Sequence, residues 1–211
     1  MKYEAVIFDL DGVICFTDKY HYQAWKKMAD DMGIYFDETI NNRLRGVSRM
    51  ESLDIILENY DKELSLEEKQ KLAQSKNSLY VELLSQMSEK DLSTEVKETL
   101  DALRAKGLRL AIGSSSKNAK YILERLGLKD YFDAVSDGTN ITKSKPDPEV
   151  FLKAAEFLGK EPGKCLVVED AKAGVEAAGA GGFDSAGLGE AASCGEATYG
   201  METFRDLVKI A

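Results

Sequence analysis

Two aspartates stand near the start of the chain, in the run Phe8-Asp9-Leu10-Asp11-Gly12. On an extended backbone, residues two apart project to the same side. Two such carboxylates can divide labour, one attacking a substrate or binding a metal while the other moves a proton. Gly12 then permits a sharp change of direction. Taken alone, the pair is also what a polar strand end before a turn looks like. A second acidic pair, Glu169-Asp170, follows the apolar run Leu166-Val167-Val168. Equivalent strand ends of a parallel sheet lie along one edge, so the two acidic ends can meet. Carboxylate oxygens with no accompanying His or Cys pair suit a hard cation, and Mg2+ is the expected one. The plainer reading of the second pair is an acid favouring the dipole of a helix that follows it.

Other residues add to this chemistry. Ser114-Ser115-Ser116 follows Leu110-Ala111-Ile112-Gly113 and precedes Lys117-Asn118. Hydroxyls and main-chain N–H groups at the start of a helix make a phosphate seat, although a serine there is more often simply a cap. Lys145-Pro146-Asp147-Pro148 closes a loop and opens a helix, a pattern that a surface turn with proline at the helix start also explains. Lys76 lies four residues after Leu72 and three before Leu79, on an apolar stripe, and His21 precedes Trp25 by four. Each is either a snorkelling or satisfied core group or one that faces a polar cleft. Arg43-Leu44-Arg45-Gly46-Val47-Ser48-Arg49 is a basic loop that can grip a second anionic group or stay a solvated turn.

These residues need a scaffold that gathers them. Ala5-Val6-Ile7-Phe8 and Cys165-Leu166-Val167-Val168 are continuous apolar runs, as in strands buried on both faces of a parallel sheet. Leu108 to Ile112 reads as another strand, with weaker ones at Phe132 to Val135 and Phe183 to Leu188. Helical stripes alternate with them: Val96, Leu100 and Leu103 after Ser93 or Thr94; Ile122, Leu123 and Leu126; Val150, Phe151, Ala154, Ala155 and Leu158. This alternation predicts a doubly wound, Rossmann-like α/β sheet. Residues 18 to 91 carry no strand pattern. Trp25, Met28, Ala29 and Met32 mark one helix, Leu53, Ile56 and Leu57 a second, and Leu72 through Met87 a long third. The expected organisation is therefore a core of residues 1–16 and 92–211, interrupted after its first strand by a small all-helical cap of residues 17–91. An insert at the C-terminal edge of a first strand sits where open α/β sheets bind ligands, and can act as a lid.

The 211 residues, 44% hydrophobic and 31% charged, fit one globular domain or a core with a small insert. A net charge of −9 argues against a nucleic-acid partner but allows a phosphorylated small molecule, which needs only a local positive cluster. Three cysteines make no disulfide framework and suit a reducing cytoplasm. No apolar run approaches the length of a membrane span. The opening residues pass straight into a strand pattern, which predicts no secretion leader. A monomer is the default expectation.

Asp9/Asp11, Ser114, Lys145-Pro146 and Glu169-Asp170, in that order and spacing, resemble the haloacid dehalogenase superfamily, and the segment between Gly12 and Ser93 is similar to its small helical cap. Within the superfamily the chain most resembles the β-phosphoglucomutase family, through Phe8 to Ile14, Thr17, Tyr20-His21, Ala24-Trp25, Gly46 to Arg49, Ser52-Leu53, Lys76-Asn77, Ser116 to Asn118 and Leu123 to Arg125. The resemblance implies that Asp9 is a nucleophile forming an aspartyl phosphate and that Asp11 is the general acid and base. It implies that Ser114 and Lys145 bind the transferring phosphoryl group, and that Asp9, Asp11 through its carbonyl, and Asp170 hold Mg2+ with Glu169 close by. Arg49, Ser116, Lys117 and Asn118 would grip a distal phosphate. Thr17, His21 and Lys76 would couple cap closure to catalysis, with Trp25, Gly46, Val47 and Ser52 also on the substrate side. The implied reaction interconverts β-glucose 1-phosphate and glucose 6-phosphate; a sugar-phosphate phosphatase is the alternative. Two positions depart from the mutase pattern: Ala171 stands where a serine is usual, and Ser114-Ser115-Ser116 replaces Ser-Ala-Ser. The Gly/Ala-rich stretch from about residue 180 carries no such match.

Overall fold

A computed structural model describes residues 2–45 and 47–211. In chain order, strand β1 (Ala5–Phe8) is followed by helices α1 (Asp18–Asp31), α2 (Glu38–Asn42), α3 (Arg49–Ile56) and α4 (Leu66–Leu84). Next come α5 (Thr94–Ala105), β2 (Arg109–Gly113), α6 (Ala119–Arg125), β3 (Ala134–Ser136), α7 (Glu149–Leu158), β4 (Cys165–Glu169) and α8 (Lys172–Ala180). The chain ends with β5 (Asp184–Gly187), α9 (Gly189–Ser193), β6 (Tyr199–Gly200) and α10 (Leu207–Ile210). The six strands are all parallel, in the order β3-β2-β1-β4-β5-β6.

Every residue of β1 and β4 is buried, which is why both read as unbroken apolar runs. Alternation along β1 sends Val6 and Phe8 to one face of the sheet and Ala5 and Ile7 to the other. The first face is covered by α5 and α6, through Leu100, Leu103, Ile122 and Leu123. The second is covered by α7 and α8, through Phe151, Ala154, Ala177 and Ala178. This is the doubly wound arrangement expected. The weaker strand patterns at 132–135 and 183–188 correspond to β3 and β5. Two further elements, β6 and α9, fall in the Gly/Ala-rich stretch that carried no pattern, being only two and five residues long.

Helices α1 to α4 and their connections have a small core of their own, built on Trp25, Met28, Phe36, Leu53, Ile56 and Ala73. Their lower ends belong to the main core: Tyr20 and Ala24 of α1, and Tyr80 and Leu84 of α4, join the cluster around Phe8. Ser48 and Ser65 close capping boxes with Glu51 and Glu68 at the starts of α3 and α4. Among the described residues no helix is long and apolar enough to cross a membrane. Cys15, Cys165 and Cys194 are all free.

Strand order reverses at β1 and β4. The connections from β1 run outward to β2 and β3, and the chain then crosses back to β4, β5 and β6. A crevice outside the C-terminal ends of β1 and β4 is the consequence. Phe8 pairs with Val168 in register, so the residues that follow, Asp9 and Glu169, emerge side by side.

Phe151 links the sheet to this crevice. It is fully buried, a Cβ on Gly113 of β2 would come within 2.6 Å of its ring, and the Lys145 ammonium lies 4.7 Å from the ring centroid. Replacing Phe151 by Ala is expected to lower unfolding free energy by about 3–5 kcal/mol, because the cavity cannot close against a sheet fixed on its other face. Urea denaturation checks this, and a loss below about 1 kcal/mol would contradict the packing described.

Candidate active site

The backbone leaves β1 through a tight loop in which Gly12 N–H donates to the Cys15 carbonyl (2.7 Å) and Cys15 N–H to that of Leu10 (3.1 Å). Gly12 adopts a φ of +89°, and a Cβ there would lie 2.1 Å from Asp170 Oδ2. Only glycine satisfies both conditions. Asp9, Glu169 and Asp170 bring carboxylate oxygens within 4.8 Å of one another. Glycine is again required behind Glu169, since a Cβ on Gly174 would sit 1.9 Å from its carboxyl carbon.

Lys145 enters this acidic cluster from the loop after β3. Its ammonium donates to Asp9 Oδ1 (2.6 Å) and Glu169 Oε1 (2.5 Å), and the side chain is almost wholly buried. Burial works against its charge, but the two carboxylates outweigh that effect and hold Lys145 protonated, above its ordinary value. Glu169 also accepts from the main-chain N–H groups of Asp170 (3.0 Å) and Ala171 (3.1 Å). Ala171 leaves α8 without a side-chain cap, and Glu169 satisfies the Ala171 N–H instead. Among the described residues Asp170 has no comparable donors. Burial, then Asp9 and Glu169, push its carboxyl up to about 8. Such a group favours a nearby cation, and the donor set, all carboxylate oxygen, fits a hard divalent ion.

The Asp11 carboxylate is not among the three that cluster. It accepts a hydrogen bond from the Thr17 hydroxyl, and burial followed by Asp9 raises it to about 7. Thr17 is fully buried at the start of α1, so its hydroxyl anchors Asp11 rather than capping the helix. It does not line the cleft, contrary to the expectation that it meets substrate. Its place beneath Asp11 suits the coupling role instead.

A cleft of about 540 Å³ separates the strand ends from the helical insert. Asp9, Asp11, Ser114, Lys145, Glu169 and Asp170 line its floor. His21, Trp25, Val47, Arg49, Ser52 and Lys76 line it from the insert, and Ser116, Lys117 and Asn118 from the loop after β2. All the expected site residues therefore converge there except Thr17, beneath it, and Gly46, which lies outside the described residues. The positive groups Arg49, Lys76, Lys117 and Lys145 give a local anion-binding potential inside an acidic protein.

Lys76 is buried between the rings of Trp25 (4.6 Å) and Tyr80 (4.5 Å), and its Nζ shares a 3.0 Å hydrogen bond with His21 Nδ1. Burial and then Arg49 lower it to about 7. Burial, with Lys76 and Arg49, keeps His21 well below its ordinary value and hence neutral. Sequence reasoning missed Arg45 as an individual contact. It pairs with Asp18 and reaches 3.7 Å from Asp170, joining insert to strand end. It also missed Tyr80 and the role of Asn77, whose Oδ1 accepts a 2.9 Å hydrogen bond from the expected Asn118 across the cleft. The Arg43–Arg49 basic run was the available signal for Arg45, and the Lys76-Asn77 match for Asn77.

Residues 3–182 match the model of the haloacid dehalogenase-like hydrolases. The chain belongs to that family. Its fold and the acidic strand ends are those the sequence resemblance implied. A β-phosphoglucomutase of Bacillus subtilis (strain 168) is 42% identical over 189 residues, 89% of this chain and 84% of the relative. A phosphorylated carbohydrates phosphatase of Thermotoga maritima is 35% identical over 184 residues, 86% and 82% of the two chains. The crystal structure of a β-phosphoglucomutase from Clostridium difficile superposes with a TM-score of 0.92 at 39% identity, covering 97% of this chain and 93% of that one. Within this family of enzymes, the chain presents acidic strand ends beneath a helical insert.

Lys76 gives a pH test. In the folded chain it releases its proton near pH 7, and unfolded near the ordinary 10.5, so between these values the unfolded chain binds more protons and stability rises with pH. Relative to Lys76→Met, the native sequence is expected to gain about 1–2 kcal/mol between pH 7 and pH 9. Urea unfolding of both at each pH measures it. A difference that stays flat or falls would contradict the burial of this amine.

Proposed function

We propose that the protein is a Mg2+-dependent phosphosugar mutase interconverting β-glucose 1-phosphate and glucose 6-phosphate through an aspartyl-phosphate enzyme and a β-glucose 1,6-bisphosphate intermediate. The observation that carries this reading is the convergence on one cleft of two differently held aspartates, Asp9 beside Lys145 and Asp11 on Thr17, with Arg49, His21 and Lys76 from the insert. The 42% identity to a β-phosphoglucomutase over most of both chains supports it. In this reading residues 17–91 are a cap over a core of residues 1–16 and 92–211.

Asp9 and Asp170, with the main-chain carbonyl of Asp11 and Glu169 alongside, are the residues that would hold Mg2+. Bound there, the ion supplies neutralisation of phosphoryl oxygens and helps align the transfer. The remaining work belongs to side chains. Phospho-Asp9 gives its phosphoryl group to the sugar 6-hydroxyl: the Asp9 oxygen–phosphorus bond breaks, the sugar oxygen–phosphorus bond forms, and the hydroxyl proton passes to Asp11. A carboxyl near pH 7 can take and return that proton at neutrality. The bisphosphate then presents its other end. Asp9 attacks the 1-phosphoryl group, and Asp11 returns the proton to the departing sugar oxygen. Ser114 and Lys145 position the transferring group, while Arg49, Ser116, Lys117 and Asn118 hold the phosphate at the far end. The cap, closed over the cleft, keeps water from replacing the sugar hydroxyl.

The phosphatase relative at 35% identity supports a second reading, hydrolysis of a sugar phosphate by the same Asp9 and Asp11. The core residues serve both reactions, so the cap decides between them.

Gly12 tests the cation site. Gly12→Ala forces Asp170 aside and strains a positive φ, so Mg2+ affinity by isothermal titration calorimetry is expected to fall about tenfold or more. Unchanged affinity would remove Asp170 from the proposed ligands. The reaction itself is read by 31P NMR of the protein with Mg2+, β-glucose 1-phosphate and a trace of the bisphosphate. Glucose 6-phosphate is expected to accumulate without inorganic phosphate, and Asp9→Asn to show no turnover. Inorganic phosphate in its place would establish the hydrolase, and a fully active Asp9→Asn would overturn the nucleophile.

A further inference from the structure

Of the three carboxylates gathered at the strand ends, two share a cation. The Lys145 ammonium bonds Asp9 and Glu169, at 2.6 and 2.5 Å, and forms no ion pair with Asp170. Among the described residues, the one positive group within ion-pair distance of Asp170 is Arg45, whose Nη1 stands 3.7 Å from Asp170 Oδ2. Arg45 is not a core residue. It lies between α2 and α3 in the insert, and its Nη2 pairs with Asp18 at the start of α1. Its Nε is closed to solvent and has no hydrogen-bond partner. Asp18 thus holds the guanidinium over the cleft, which both residues line.

The carboxylate it approaches has little room to retreat. A Cβ on Gly12 would lie 2.1 Å from Asp170 Oδ2, the same oxygen that faces Arg45. Asp170 is therefore wedged between the loop after β1 and the insert. It is also one of the three carboxylates whose oxygens can gather on a divalent ion. A dication on that carboxylate and a guanidinium beside it draw on one negative charge and repel one another, so each weakens the other.

Resting on the assignment of Asp170 to the cation site, we infer that Arg45 is a further residue of that site, a competitor supplied by the insert whose guanidinium and the divalent cation exclude one another at Asp170. Arg45 then sets the affinity of the site and makes it depend on where the insert stands. The coupling is reciprocal: the loaded site draws Arg45 off Asp170, and a phosphate dianion in the cleft adds the negative charge that lets both remain.

The test is calorimetric titration of the whole protein with Mg2+ at low ionic strength, where charges are screened least. Arg45→Gln is expected to bind Mg2+ about threefold to fivefold more tightly than the native protein, the range an ion pair of this exposure can supply. Arg43→Gln removes the same charge two residues away, but Arg43 pairs with Glu58 and does not line the cleft, so it is expected to keep the native affinity. A second readout follows Arg45 itself. Its modification by phenylglyoxal, located by peptide mass spectrometry, is expected to run about threefold faster with saturating Mg2+ than without, and to lose that dependence in Asp170→Asn. Equal or weaker Mg2+ binding by Arg45→Gln, an equal gain in Arg43→Gln, or a modification rate that Mg2+ leaves unchanged or lowers would overturn the inference and leave the cation site in place. Asp170→Asn that binds Mg2+ as tightly as the native protein would instead remove Asp170 from the cation site, and the part of Arg45 with it.

Discussion

Carboxylates that repel one another, crowded at the point where a parallel sheet reverses its strand order, set the terms for the rest of this molecule. Asp9, Glu169 and Asp170 bring oxygens within 4.8 Å in a setting largely shut off from water. Like charges so placed are tolerated only with a compensating cation. Lys145 supplies part of it, bonded to two of the three. Its loop must therefore reach the strand ends, and Phe151 must support it from below. Gly12 and Gly174 follow from the same crowding, since each leaves the room that one carboxylate occupies. Asp170, which Lys145 does not bond, has its carboxyl pushed up to about 8 by burial and its acidic neighbours, and it is the one Arg45 approaches from the insert.

The contrast between Asp9 and Asp11 comes from the same arrangement. Two residues apart on one strand end, they have different partners. Asp9 faces an ammonium, whereas Asp11 faces a hydroxyl and is buried. Burial, then the charge of Asp9, raise Asp11 so that it keeps its proton to about pH 7, the Thr17 hydroxyl opposing them only in part. Environment alone thus separates a group suited to attack from one suited to moving a proton. The hydroxyl belongs to Thr17, the residue just before α1, so the start of the helical insert and the orientation of Asp11 are tied by one contact. His21, one turn further along α1, carries the link on to Lys76 of α4.

Much of this was legible in the chain. The buried strands β1 and β4 are written as uninterrupted apolar runs, and parallel pairing alone brings their acidic ends together. Lys76 was conspicuous because a lysine breaks an apolar stripe, and it is indeed buried against Trp25 and Tyr80. What escaped notice has a physical cause in each case. The α9 and β6 segments are too short for a period to show. Arg45 sits in a run of arginines, and only the fold selects the one that meets Asp170. Tyr80 looks like an ordinary core aromatic, because the missing partner of its hydroxyl is a fact of three dimensions. Thr17 lies next to the site in sequence yet beneath it in space, since the loop from Leu10 to Cys15 turns Asp11 back toward it.

The difference between passing a phosphoryl group to a sugar and passing it to water cannot reside in the floor of the cleft, because both acceptors are hydroxyl groups attacking the same phosphorus and losing a proton to the same base. It must reside in what the insert does when a sugar is present and when only water is. At its base the insert shares the main core through Tyr20, Ala24, Tyr80 and Leu84. Across the cleft the Asn77–Asn118 bond is neutral, and Arg45 stands 3.7 Å from Asp170 with its side chain about one-third exposed, where such pairs are worth about 1 kcal/mol or less. Contacts of that strength add little to closure of the cleft itself. In the mutase reading proposed above, a substrate bridging Arg49 and Lys76 on one side to Lys145 on the other would add charge-assisted bonds that water cannot make, and would so favour the closed cleft. Selectivity for the sugar would then follow from closure that depends on the substrate's own charge, with no residue of the floor required to tell one hydroxyl from another.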